Sequence, residues 1–406
     1  MSIGPASSIL LLDDDPFMLQ LLGMLLAQRG HPAVTPCDNA RAALACLDTA
    51  AVPPGLILCD LNMPEMDGVE FVRELVKRRY RGSLVLISGE DERVLQSAER
   101  LVRAHRLTVL GHLHKPFTSD ALDALLVQWV GNQPGPGRAD MQPYPADAVR
   151  AAIAQGELIN HYQPKVAVAT GEVVGVETLV RWQHPADGLV YPDSFIGVAE
   201  RHGLINDLTR VVMRAALAQA GQWREAGLPL RLAINLSMDN LAQLDFPDYA
   251  LALVTTAGIE PQQVVFEVTE SRLMQDLRGP LDVLTRLRMK RFRLSIDDFG
   301  TGHSSLSQLR DIPFDELKID QGFVHGASGD DTVRAIYDAS QQLGQQLHLD
   351  IVAEGVEDRA DWDFVRRAGC GLAQGYFIAR PMPAAQLPGW ISAWQSRLHT
   401  EGLTIH

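Results

Sequence analysis

Cysteine is scarce in this chain, with Cys37, Cys46, Cys59 and Cys370 the only four in 406 residues. No two form a Cys-x-x-Cys pair and no secretory leader precedes them, so reduced thiols in a cytoplasm are expected. No apolar run approaches the roughly 18 to 20 residues of a membrane helix, which points to a soluble protein. Basic residues are in deficit, 36 Lys and Arg against 50 Asp and Glu, for a formal net charge of −14. That balance argues against nonspecific binding to DNA or to an anionic membrane, since both need clustered Lys and Arg. A phosphate substrate stays open, because a bound metal reverses the local sign. Low-complexity tracts and solenoid repeats are missing as well. A chain of this length buries a sizeable core and reads as two domains.

The break falls at Gly131-Asn132-Gln133-Pro134-Gly135-Pro136-Gly137, whose prolines and glycines interrupt any helix or strand and mark a linker over 131–144. Before it, over 7–130, strand-like runs at 8–12 and 55–59 alternate with helix-like stretches such as 16–29. This is the pattern of a small α/β domain with a doubly wound parallel sheet. After it, over 145–397, the alternation resumes on a larger scale, with helical stretches at 206–226 and 279–290. Repeated strand-then-helix units of that extent fit a β/α barrel.

In the first domain, apolar runs end at Asp13 with Asp14, at Asp60, and near Lys115. An open parallel sheet binds ligands outside the carboxyl ends of its strands, so these groups meet in one crevice. Clustered carboxylates repel unless a divalent cation joins them, and Mg²⁺ with oxygen ligands suits the task. Asp60 is then placed to attack a phosphoryl donor, with Mg²⁺ and Lys115 offsetting the charge of the transferred group. With Leu61-Asn62-Met63-Pro64, Asp67-Gly68, Ser88-Gly89 and Lys115-Pro116-Phe117 also present, the segment resembles the receiver domain of two-component response regulators. The resemblance implies a flavodoxin-like fold with Asp60 as the phosphoacceptor. Asp14, Asp60 and the Asn62 carbonyl would hold Mg²⁺ beside Asp13, Ser88 would bond the phosphoryl group, and Lys115 would pair with it. A sensor histidine kinase is the implied partner. Many receivers carry an aromatic residue where this chain has His112.

Seven strand-like stretches of the second domain carry or end in a polar group, supplying Glu177, Asn235, Glu267, Asp297 with Asp298, Lys318, Glu354 and Gln374. A parallel barrel gathers its strand ends at one rim, where so many acids require cations. Carboxylate and carbonyl donors without a matching His or Cys cluster favour Mg²⁺ or Mn²⁺. Two such ions suit in-line phosphodiester hydrolysis. Lys318 is a fixed cation able to orient the attacking water, Glu354 a group able to take its proton, and Arg181 a paired donor to phosphate.

These segments resemble the EAL domain, the phosphodiesterase that opens cyclic di-GMP. The likeness covers about 148–394 and rests on Tyr162-Gln163-Pro164, Glu177-Thr178-Leu179 with Arg181-Trp182, Asn235-Leu236-Ser237 and Glu267-Val268-Thr269-Glu270-Ser271. Asp297-Asp298-Phe299-Gly300-Thr301-Gly302, Lys318-Ile319-Asp320, Glu354-Gly355-Val356-Glu357 and Gln374-Gly375-Tyr376 extend it. A receiver joined directly to such a domain looks like the RocR-type class of response regulators. The resemblance implies a modified TIM barrel, two metals held by Glu177, Asn235, Glu267, Asp297 and Asp298, and catalysis by Lys318 and Glu354 together with Glu177. Glu270 would hold the loop after Asp298. Gln163, Leu179, Arg181, Asp320, Glu357 and Gln374 would line the nucleotide and metal site, and the barrels would pair in a homodimer or larger assembly.

One departure stands in the motif, where Thr178 replaces the central alanine. Its neighbours on a strand point to the opposite face, so the metal ligands are expected to be unaffected. No Gly-Gly-Asp/Glu-Glu-Phe signature of the opposing cyclase occurs. Two other functions are weighed: a receptor that binds cyclic di-GMP without cutting it, and an interaction protein whose barrel serves as an oligomerisation surface. Loss of a metal ligand, of Lys318 or of Glu354 would favour the receptor, and all are present. Phosphorylation of Asp60 is expected to shift the loop after Asp298 or a dimer contact near it.

Overall fold

The computed structural model describes residues 8–50, 52–78, 80, 82–89, 95, 98–99, 101–102, 107–131, 144–269, 278–300 and 312–403. The chain divides into two compact units, Met1–Asp140 and Met141–His406. Among the described residues no helix is long and apolar enough to cross a membrane.

The first unit is built on strands β1 (Ile9–Leu12), β2 (Val34–Cys37), β3 (Leu56–Asp60), β4 (Ser83–Ser88) and β5 (Thr108–His114). They form one parallel sheet in the order β2-β1-β3-β4-β5. Uninterrupted apolar runs such as Ile9-Leu10-Leu11-Leu12 suit a sheet covered on both faces. Ile9 and Leu11 pack with Leu22 and Leu26 of helix Pro16–Gln28. Leu10 and Leu12 turn the other way, toward Ala43 of helix Ala40–Thr49 and Phe71 of helix Gly68–Lys77. Side chains of Asp15, Asn39 and Asp67 cap these three helices by accepting backbone N–H bonds.

The second unit closes into a barrel. Its wall is β6 (Leu158–Ala167), β7 (Val173–His184), β9 (Arg231–Leu236), β10 (Val264–Thr269), β11 (Arg293–Phe299), β12 (Glu316–Ile319), β13 (Asp350–Ala353) and β14 (Leu372–Ala373). Short strands β8 (Gly188–Val190) and β15 (Met382–Pro383) extend it beside β7 and β6. Strand β6 runs antiparallel to β7, β14 and β15, and β8 runs antiparallel to β7, whereas the other neighbours are parallel. The barrel is therefore a modified (β/α)8 type.

Strand alternation divides the wall into two chemistries. On β10, Val264, Phe266 and Val268 face outward into the main core between barrel and helices, while Glu267 faces inward. Phe266 is fully buried, its ring 5.7 Å from that of Phe246 and 5.2 Å from that of Phe292. Phe266→Ala is expected to cost about 3–5 kcal/mol, as for other buried aromatic truncations. A urea denaturation curve with an unmoved midpoint would contradict that placement.

Candidate active site

All eight strands of the wall deliver a polar group to one end. Gln163 lies on β6, Glu177 on β7, Asn235 on β9, Glu267 on β10, Asp297 on β11 and Lys318 on β12, while Glu354 and Gln374 directly follow β13 and β14. Register sets their levels, with Gln163 opposite Glu177, and Glu267 between Asn235 and Ser295.

Lys318 stands at the centre, 1% exposed. Its Nζ lies 2.7 Å from Glu354 Oε1, 2.9 Å from Asp297 Oδ1, 3.2 Å from Glu267 Oε1 and 3.6 Å from Glu177 Oε2. Burial opposes the ammonium charge, but the four acids outweigh it and raise the Lys318 pKa well above its ordinary value. Glu177 is oriented by two amides: Gln374 Nε2 donates to Oε2 at 2.6 Å and Asn235 Nδ2 to Oε1 at 3.0 Å. Burial pushes that carboxyl up, while Lys318 and the two amides hold it below its ordinary value.

Strand alternation would aim Asp297 and Asp298 at opposite faces. A register shift between Ile296 and Phe299 breaks it, and Asp298 adopts φ 56°, a left-handed conformation uncommon outside glycine. Carboxylate oxygens of Asp297, Asp298 and Glu354 consequently come within 4.8 Å of one another. Burial, reinforced by the neighbouring Asp297, lifts Asp298 to about 6, and burial lifts Glu354 to about 8 against the pull of Lys318.

A divalent cation fits this set. Both carboxylate oxygens of Glu267 are buried without a hydrogen-bond partner among the described residues, and the ammonium groups of Lys318 and Lys165 lie 3.2 Å and 3.7 Å from its Oε1. Burial drives the Glu267 pKa well above its ordinary value, as expected where anionic oxygens lack sufficient positive charge.

Gln163, Glu177, Leu179, Asp297, Asp298, Lys318, Asp320, Glu354, Glu357 and Gln374 line one cavity of about 320 Å³. Glu267 sits against Lys318 beneath it, and Asn235 borders a second, largely apolar cavity of about 300 Å³. Arg181 is not on the lining of either; its guanidinium lies 5.0 Å over the Tyr191 ring and Nη1 donates to Val180 O at 2.9 Å. Thr178 faces the apolar cavity, its hydroxyl without a partner among the described residues. Glu270 and residues 301–311 of the loop after Asp298 lie outside the described residues.

Two site residues are missing from the sequence reading. Lys165 Nζ lies 2.6 Å from Glu316 Oε1 and 3.7 Å from Glu267 Oε1, and all three side chains are buried. Period two was the available signal, because Lys165 follows Gln163 by two and Glu316 precedes Lys318 by two.

The receiver crevice repeats the arrangement at smaller scale. Carboxylate oxygens of Asp13, Asp14 and Asp60 lie within 4.8 Å of one another, and Lys115 Nζ reaches Asp13 Oδ2 at 2.8 Å and Asp60 Oδ2 at 2.7 Å. Asp60 Oδ1 accepts the Asn62 N–H at 3.1 Å. Ser88 ends β4 fully buried, and its carbonyl accepts the Lys115 N–H at 2.8 Å. His112 Nδ1 is 3.0 Å from Glu99 Oε2. The three acids have the oxygen chemistry for Mg²⁺.

A family model described as the response regulator receiver domain matches residues 9–127, and one described as the EAL domain matches residues 146–381. The cyclic di-GMP phosphodiesterase RocR of Pseudomonas aeruginosa is 32% identical over 379 residues, covering 93% of this chain and 96% of that protein. The chain belongs to the receiver–EAL response regulators, of RocR type. An uncharacterized signaling protein of Caulobacter vibrioides is 44% identical over 245 residues, where 60% of this receiver–EAL chain spans only 30% of its relative. The solved cyclic di-GMP complex of the PaMucR phosphodiesterase is 41% identical, with a TM-score of 0.57 over 59% of this chain and 98% of that one.

In this EAL domain the segment carrying Glu357 is braced from behind. Asp361 Oδ2 accepts the Glu357 N–H at 3.0 Å and contacts His325 Nδ1 at 2.8 Å. The hydrogen bond to Asp361 raises the His325 pKa, with Glu357 and Asp358 adding to it against partial burial. A raised histidine pKa stabilises the fold below the unfolded value of about 6.5, and the gain is lost as pH rises through the folded value. His325→Gln is therefore expected to lower the thermal midpoint at pH 5.5 and to leave it nearly unchanged at pH 8.5. Equal losses at both pH values would sink this account.

Proposed function

We propose that this chain hydrolyses cyclic di-GMP to linear pGpG at the barrel mouth, using two divalent cations, under control of phosphorylation at Asp60. The carrying observation is the Lys318 cluster, found in a chain alike along nearly its whole length to a cyclic di-GMP phosphodiesterase. Carboxylates of Glu177, Glu267, Asp297, Asp298, Glu316 and Glu354 face two ammonium groups, Lys165 and Lys318.

Glu177, Asn235, Glu267, Asp297 and Asp298 would hold Mg²⁺ or Mn²⁺, hard ions suited to oxygen donors. Bound there, the cations supply Lewis-acid neutralisation of the reacting phosphoryl group and a lowered pKa for water. Lys318 fixes Glu354 at 2.7 Å, and the added positive charge of bound cations would favour its carboxylate form, which takes the proton of the attacking water. The water oxygen bonds to phosphorus as the opposite bond to a ribose oxygen breaks, and that oxygen takes up a proton from solvent to become a hydroxyl, which opens the ring. Gln163, Leu179, Arg181, Asp320, Glu357 and Gln374 contact the nucleotide. The apolar cavity, with Val180, Ile196, Leu208 and Val212 on its walls, has the size and chemistry for a purine base. Bases held away from the reacting phosphorus supply binding energy that orients it.

In the receiver, Asp60 accepts a phosphoryl group from a sensor histidine kinase, with Mg²⁺ held by Asp14, Asp60 and the Asn62 carbonyl beside Asp13. Ser88 and Lys115 contact the transferred group. Barrels pair in a homodimer or larger assembly.

Chromatography of cyclic di-GMP incubated with the full chain and Mg²⁺ or Mn²⁺ tests the activity, with pGpG as the expected product. Lys318→Ala and Glu177→Ala are expected to lose about 10²–10⁴-fold in rate, the range for a positioned acid–base or metal-holding group. Undiminished turnover in Glu177→Ala would refute the mechanism. Rates with and without a phosphoryl mimic are expected to differ in the unaltered chain and to coincide in Asp60→Asn. Indifference of the unaltered chain to the mimic would remove the regulatory part alone.

A further inference from the structure

Most large exposed apolar side chains of the described residues lie away from the mouth cavity, but Tyr376 stands on its rim with 50% of its surface exposed. The backbone that carries the ring is held in place. Gly375 lies so flush on the segment after β13 that a Cβ there would meet Val356 O at 2.2 Å and Val356 N at 2.3 Å. Val356 N–H donates to Gln374 O at 3.1 Å and Phe377 N–H to Val356 O at 2.9 Å, clamping the turn on both sides of Tyr376. The same turn carries Gln374, whose amide orients Glu177. The Arg380 guanidinium lies over one face of the ring, 4.1 Å from its centroid. The other exposed aromatic near the site, Tyr191, has Arg181 over its ring.

A rigid aromatic ring loses little entropy when a ligand settles on it, and a guanidinium on one face adds a cation–π contribution. Stacking of this kind recognises the π-face of a nucleobase. We infer that Tyr376, backed by Arg380, is a stacking platform for one guanine base of the substrate, an assignment that rests on the cyclic di-GMP reading. Its contact is with a part of the substrate remote from the breaking bond, so it acts on binding rather than on the chemical step.

Steady-state hydrolysis of cyclic di-GMP by the full chain tests this. Tyr376→Ala and Tyr376→Leu are expected to raise KM by about 5- to 100-fold, the range for loss of one base–aromatic stack. The kcat should stay within about twofold, the signature of lost uniform binding. Tyr376→Phe keeps the ring and should restore the unaltered KM. Arg380→Met should raise KM by about 2- to 5-fold. Thermal midpoints should hold, because the ring is half exposed. An unchanged KM in both Ala and Leu variants, a fall in kcat alone, or a Phe variant as impaired as Ala would each overturn the platform. Failure of the unaltered chain to hydrolyse cyclic di-GMP would instead overturn the phosphodiesterase reading and this inference with it.

Discussion

A buried ammonium group organises the barrel. Lys318 could not keep its charge in an apolar interior, and the carboxylates around it could not be packed together without positive charge between them. Each makes the other tolerable. Glu267 shows the dependence most directly, because it lies between Lys318 at 3.2 Å and Lys165 at 3.7 Å. Lys165 and Glu316 form a second pair beneath, at 2.6 Å. Barrels of this type usually fill their interior with layers of branched apolar side chains. Charge takes that place here, and the apolar core moves outward, where Phe266, Phe292 and Leu317 pack between strands and helices. Stability and chemistry are thus supplied by opposite faces of the same strands.

That separation explains what could be read in the sequence. Apolar runs ending in an acid or lysine disclosed the two sheets, the gathering of Glu177, Glu267 and Lys318, and the crevice of Asp13, Asp14 and Asp60. Strand order in the barrel and the antiparallel β6 depend on contacts between residues far apart, which no local pattern carries. Lys165 and Glu316 escaped because a charged residue in a strand usually points to water, and their burial follows from barrel closure. The Asp297-Asp298 pair is the sharpest case. Their identities suggested a ligand pair, yet regular alternation would have turned them to opposite faces of the sheet. Only the bulge and the left-handed Asp298 bring both to the mouth. Arg181 suggested a phosphate donor by residue type, whereas its position over Tyr191 arises from how β7 lies against the chain after β8.

The two units apply one electrostatic device to different ends. Each places acids at the carboxyl ends of parallel strands and answers them with a lysine from a nearby strand end. Lys115 reaches two carboxylates and keeps 23% of its side chain exposed, whereas Lys318 reaches four and is closed off from water. An open crevice suits exchange of a phosphoryl group with an external donor. An enclosed cluster suits chemistry in which the charges themselves must be stronger, because a lower local dielectric enlarges every interaction inside it.

Thr178 shows how finely strand geometry divides these tasks. Its neighbour Glu177 points to Lys318 and Gln374, whereas its own side chain lines the apolar cavity with Val180, Leu208 and Thr209. Its hydroxyl, without a partner among the described residues, lies across the strand from the acids and cannot alter their spacing. One step along β7 therefore passes from the chemical floor of the site to the wall of the adjoining cavity. A different side chain at the middle position of Glu177-Thr178-Leu179 alters the wall of that cavity, while the carboxylate before it remains held by the same amides and the same ammonium group.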